Sequence, residues 1–158
     1  MTSDRLDDVD AGILHLLQRD ARNTTTTEMG DAVGVSASTV GNRIQQLEDD
    51  GIIDGYHPRI DYHDAGFPLR VLFVCTAPIP ERSELSERAL QIDGVVDVKE
   101  IMTGVENVHV EAVATDRDDM TVIGGDIDAL GLDIVTQKLV KNEHIQPFDH
   151  FGDDTAEE

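Results

Sequence analysis

Residues 24–47 read TTTTEMGDAVGVSASTVGNRIQQL. Threonine side chains cap helices better than they continue them, so a helix is predicted to begin within Thr24 to Thr27. It runs through Glu28, Met29, Gly30, Ala32 and Val33 and stops at Gly34, where glycine suits a helix end. Ser36 then caps a further helix that turns Val40, Ile44 and Leu47 inward. A short helix, a glycine turn and a second helix of about 12 residues must pack at a steep angle, and Gly30 permits the close approach. An ordinary helical corner would show the same pattern, so the flanking sequence has to decide.

Upstream, Leu6, Val9, Ile13, Leu14, Leu16 and Leu17 recur mostly at three and four, with Asp7, Asp8 and Asp10 in the first turns. That is an amphipathic helix with acids at its positive end. Downstream, Glu48, Asp49, Asp50 and Gly51 end the helix that Ser36 caps. Ile52, Ile53, Tyr56 and Ile60 then give a short extended stretch punctuated by Gly55 and Pro58. A winged helix-turn-helix over residues 1–60 has this anatomy.

After a linker at 61–68, containing Gly66 and Pro68, the pattern turns to β. A strand is predicted near Arg70 to Pro78, a helix near Glu81 to Ile92 and a strand near Val95 to Met102. A second round follows, with a strand from Asn107 to Thr115, a helix from Arg117 to Ala129 and a strand from Leu132 to Val140. The order βαββαβ over residues 69–151 is that of a ferredoxin-like domain, and the whole chain is α+β. Its sheet should carry both helices on one face, leaving the other open unless a second subunit covers it, so a homodimer is expected. Residues 152–158 are acidic and lack apolar anchors, as in a mobile tail.

Composition narrows the classes. Aromatics are only 4% and tryptophan is absent, so the core must be aliphatic. No apolar run approaches the roughly 20 residues of a spanning helix, and the polar stretch from Met1 to Asp10 lacks a signal peptide's apolar segment, which points to a soluble cytoplasmic protein. The formal charge of −21 opposes DNA binding if taken alone. Yet there are only three lysines against nine arginines, and the acid is spread along the chain, as on the surface of a halophilic protein. In molar salt the Debye length is about 3 Å, so such a shell repels DNA little. Residues 1–60 hold five Lys/Arg and eleven Asp/Glu, or −6, whereas residues 61–158 hold seven and twenty-two, or −15. The amino-terminal part is the less hostile to phosphate.

A recognition helix sets its first turns against base edges in the major groove. The outward residues are Ser36, Ser38, Thr39, Asn42, Arg43 and Gln46. Arg43 suits phosphate or guanine, Asn42 suits adenine, and the hydroxyls suit either phosphate or bases; a solvated helix face is the plainer reading of each. Cys75 sits in an apolar run and reads as a buried thiol. The histidines, among them His57, His63, His144 and His150, show no metal-ligand spacing, and no catalytic triad or phosphate-cradling loop is visible. Neither a metal nor a cofactor is expected.

From Leu6 to about Lys141 the chain resembles the Lrp/AsnC (feast/famine) family of transcription regulators. The residues that carry the resemblance are Leu6-Asp7 with Asp10, Ile13-Leu14 and Leu17, Asp20-Ala21-Arg22, Val35-Ser36 with Ser38-Thr39-Val40, Arg43-Ile44, Leu47-Glu48, Gly51-Ile52-Ile53 and Gly55-Tyr56. Gly66 and Thr103-Gly104 complete the order. The resemblance implies a DNA-binding regulator whose ferredoxin-like domain dimerises, often assembles into octamers, and takes an amino acid or related effector between subunits. On that basis Met102, Thr103, Gly104, Glu106 and Asn107 are the candidate effector residues, although Thr103 and Gly104 are equally read as a turn. The family usually has aspartate where Asn107 stands, and the change would cost an effector's ammonium a charge-assisted hydrogen bond. A rival of similar architecture is a haem-precursor decarboxylase, but the second strand, VVDVKEIM, lacks the His-Asn-Tyr-type cluster that resemblance would require. A ligand-sensing assembly module without DNA activity is the third class.

Overall fold

The computed structural model describes residues 6–148 and 151, which fall into two compact units. One comprises residues 1–58 with 144–158, the other Arg59–Glu143.

The first unit is a trihelical bundle. Helix α1, Asp8–Asp20, opens with a capping box in which Asp7 accepts from the Asp10 backbone N–H and Asp10 accepts in return from that of Asp7. Helix α2, Thr26–Val33, opens the same way with Thr25 and Glu28, so the predicted threonine cap falls on the second of the four. Gly34 ends α2 at φ +78°, a left-handed conformation that glycine adopts without strain. Helix α3, Ala37–Asp49, begins at Ser36, whose Oγ accepts from the Thr39 backbone N–H at 3.2 Å. Ile13, Leu14, Met29, Val40 and Leu47 form the core, and Ile44 packs against it. Gly30 is buried where the turn doubles back: a Cβ there would stand 2.5 Å from the Val35 carbonyl oxygen.

Glu28 and Asp7 carboxyls lie below their ordinary values of 4.5 and 3.8, held first by the backbone N–H groups of Thr25 and Asp10. A depressed carboxylate stabilises the fold above its unfolded value and loses that contribution as pH falls through the folded one. Helicity of the first unit is therefore expected to fall on acidification below about pH 4; circular dichroism of Glu28→Gln should show part of that acid transition removed.

The second unit holds a four-stranded antiparallel sheet in the order β2-β3-β1-β4. Its elements are β1 (Leu69–Thr76), a 3-10 turn (Ile79–Glu81), α4 (Arg82–Ala89), β2 (Val95–Glu100), β3 (Val108–Ala114), α5 (Arg117–Ala129) and β4 (Asp133–Leu139). Val71, Phe73 and Cys75 of β1 and Val108, Val110, Ala112 and Ala114 of β3 alternate onto one core with Leu85 and Ala89 of α4 and Met120, Ile123 and Ile127 of α5. The ferredoxin-like order expected for βαββαβ is present. Burial pushes the Cys75 thiol up to about 11, in keeping with a buried, unreactive cysteine.

Three expectations need correction. Residues 52–60, expected to be a wing, pair with no strand; instead the backbone N–H groups of Ile52 and Ile53 both donate to the Leu47 carbonyl and wrap the end of α3. Residues 61–68 are not a free linker but belong to the sheet unit, folded by local bonds such as Phe67 N–H to the Tyr62 carbonyl at 2.7 Å. Residues 144–151, expected in the second domain, belong to the first. The expected acidic tail, 152–158, lies outside the described residues.

Candidate nucleic-acid interface

The core positions of α3 leave Ser38, Asn42 and Gln46 exposed at intervals of four, one above the other on the outer face. Ser36 and Thr39 are partly engaged in the cap, their hydroxyls 2.8 Å apart, with Ser38 Oγ 3.2 Å from Ser36 Oγ. Gln46 reaches Asp50 at 3.3 Å and Gln45 reaches Asp49 at 3.0 Å. Acids therefore crowd the carboxy-terminal end of α3, while its amino-terminal turns carry hydroxyls, an amide and the positive end of the helix dipole. Phosphate and base edges suit the latter end.

Arg43 is also engaged within the fold. Its Nη1 donates to Asp7 Oδ2 at 2.7 Å and to both carboxylate oxygens of Asp10 at 3.2 Å. Asp7 caps α1, and Asp10 is itself buried. The guanidinium thus ties the start of α1 to the middle of α3, and hydrogen bonding to Asp7 raises its already high pKa further. Sequence reasoning missed Asp7 and Asp10 as its partners, because they lie 36 and 33 residues away.

The expected effector residues divide. Met102, 91% exposed, stands with Thr103, Gly104 and Glu106 on the open loop between β2 and β3. Asn107 does not join them: it is 4% exposed, its Oδ1 accepts from the Ala77 backbone N–H at 2.8 Å, and its Nδ2 donates to the Ala77 carbonyl at 2.9 Å. The carboxamide is a clamp on the chain leaving β1. Thr76 Oγ1 donates to the Val105 carbonyl at 3.0 Å and ties the loop to the same strand end. Among the described residues, no cluster of three His, Cys, Asp or Glu side chains could hold a metal ion, and no helix is long and apolar enough to cross a membrane.

A glycine-packed helix pair with an exposed polar second helix, on a chain that also carries a ferredoxin-like sheet, defines a helix-turn-helix DNA-binding protein of the two-unit kind. The AsnC-type helix-turn-helix domain matches residues 6–48. An uncharacterised HTH-type transcriptional regulator of Pyrococcus furiosus is 32% identical over 115 residues, 73% of this chain and 76% of its own. The HTH-type transcriptional regulator AldR of Mycobacterium tuberculosis is 28% identical over 148 residues, 89% of this chain and 80% of its own. The crystal structure of AldR superposes with a TM-score of 0.74 at 26% identity, covering 90% of this chain and 99% of AldR. A Neisseria meningitidis transcriptional regulator solved as a complex with L-Met shares the fold, with a TM-score of 0.74 at 21% identity over 90% of this chain and 94% of its own. The chain belongs to the Lrp/AsnC family of helix-turn-helix transcriptional regulators, and its relatives are regulators rather than enzymes.

Proposed function

We propose that the protein reads DNA with the outer face of α3, through Ser38 and Asn42 in its amino-terminal turns and Gln46 one turn beyond them, while Ser36 and Thr39 shape the helix start and offer hydroxyls to phosphate. The observation that carries this reading is the stripe of exposed polar side chains at intervals of four on the outer face of a helix whose inner face is core. Arg43 acts chiefly by holding α3 against α1, with the edge of its guanidinium left for phosphate. It binds as a homodimer built on the open face of the sheet, and larger assemblies, octamers included, would build on that dimer. An amino acid or similar metabolite, as in the L-Met complex of the Neisseria relative, is the effector class that suits the open loop carrying Met102, Thr103, Gly104 and Glu106. The net charge of −21 marks a protein of concentrated salt, such as a halophilic archaeal cytoplasm, where its acidic shell is screened.

Fluorescence anisotropy on DNA from the protein's own upstream region, in about 2 M potassium chloride, tests the reading. Asn42→Ala is expected to weaken sequence-specific binding by about 1–3 kcal/mol, about five- to 150-fold, with the melting temperature unchanged. Arg43→Ala should weaken binding and also lower the melting temperature, because it leaves the buried Asp10 carboxylate without its cation. Asn42→Ala binding like the parent would sink the assignment of α3, and Arg43→Ala melting like the parent would sink the brace.

A further inference from the structure

A groove with a volume of about 420 Å³ runs along the first unit between α1 and the stretch that follows α3. Leu14, Leu17, Ile53, Tyr56 and His57 line it, and so does Phe151 from the far end of the chain. Phe151 packs against the helical core, and its ring meets that of Phe148 edge to face, with centroids 5.0 Å apart and planes at 79°. The Phe148 backbone N–H donates to Gln18 Oε1 on α1 at 3.2 Å, so a second bond fixes the same segment. On the sheet side, the root of this segment is held too. Val140 N–H donates to the Arg70 carbonyl at 2.8 Å, and Glu143 pairs with the Arg70 guanidinium at 3.2 Å. A short segment rooted at one end meets its seat at a high effective concentration.

We propose that Phe148 and Phe151 act as a latch: Phe151 walls this groove and packs on the helical core, Phe148 bonds to Gln18 of α1, and together they brace the helix-turn-helix unit and set its affinity for DNA. Phe151 lines the groove beside Leu14 and Leu17 while Phe148, 52% exposed, lies outside it, and the other wall, Ile52 to His57, has no strand partner to stiffen it. Aromatic packing supplies that stiffness. The effect on affinity rests on the DNA-binding reading above, whereas the seating of the rings does not.

Two measurements on the full-length protein test the latch. The chain has no tryptophan, so Phe151→Trp introduces a single fluorophore at the seat. Its emission is expected to be blue-shifted and to stay so on dilution. A shift that vanishes on dilution would mean that the groove is filled by a second copy, and would overturn the proposal. Amide hydrogen exchange of Phe151→Ala decides the matter where indole is too large for the seat. Exchange in α1 and residues 52–57 should rise at least about tenfold with the sheet unit unaltered; unaltered exchange in α1 overturns the latch. Operator affinity of Phe151→Ala should fall severalfold. If the parent protein binds no DNA at any salt concentration, the DNA-binding reading fails and the exchange result still judges the latch.

Discussion

Gly30→Ala is expected to destabilise the helix-turn-helix unit by about 3 kcal/mol, the upper end of what an overpacked core costs. The added methyl would sit 2.5 Å from the Val35 carbonyl oxygen and within 3.4 Å of the Ser36 and Ala37 backbone. All of its neighbours are backbone, so no side chain can swing aside. Relief would require α2 and α3 to separate, and that separation would move Ser36 and the first turn of α3 with it. Thermal or urea unfolding of the variant measures the loss, and gel-shift titration should show operator binding lost before the unit melts. Parent-like stability would mean that the turn between α2 and α3 is more yielding than the geometry says.

The second large effect is expected at Asn107. Asn107→Ala leaves the backbone N–H and carbonyl of Ala77, itself 3% exposed, without their side-chain partner. Each stranded group costs about 1–3 kcal/mol, so a loss of about 3 kcal/mol from the sheet unit is expected in urea unfolding. Asn107→Asp is the more informative change, since it alters the charge and leaves the shape nearly the same. It keeps the acceptor for the Ala77 N–H but sets a carboxylate oxygen against the Ala77 carbonyl. Burial and that repulsion favour the protonated acid, which regains the donor, so its folded-state pKa should lie above the unfolded one. A raised acid pKa makes the destabilisation full above the folded value and relieves it as pH falls towards the unfolded value, about 4. A deficit that does not shrink on acidification would show that the strand end rearranges around the charge.

Much of this architecture could be read in the sequence, because local chemistry set it. Thr25, Ser36 and Gly34 cap and stop their helices where hydroxyl and glycine chemistry says they should. The helix predicted from Arg117 to Ala129 occupies those residues, and each strand falls within a residue or two of its alternation. Helix α4 ends at Ala89, short of the expected Ile92, where the chain turns through Leu90 to Ile92 into Gly94. The long-range contacts left no such trace. The carboxylates that Arg43 holds belong to a different helix, and the backbone that Asn107 clamps lies 30 residues away. Periodicity likewise carried no sign that Phe148 and Phe151 belong with α1. Two isolated aromatic residues in a polar stretch have no pattern to extend.

The assignment of residues 144–151 to the first unit bears on the order in which the molecule is made. A ribosome releases the three helices long before it reaches Phe148 and Phe151, so the part synthesised first is the last to be completed. A nascent chain carries the reading helix without its final packing until nearly the whole sheet unit has emerged. Under the latch, truncated chains left by stalled translation would compete poorly for operators held by finished molecules.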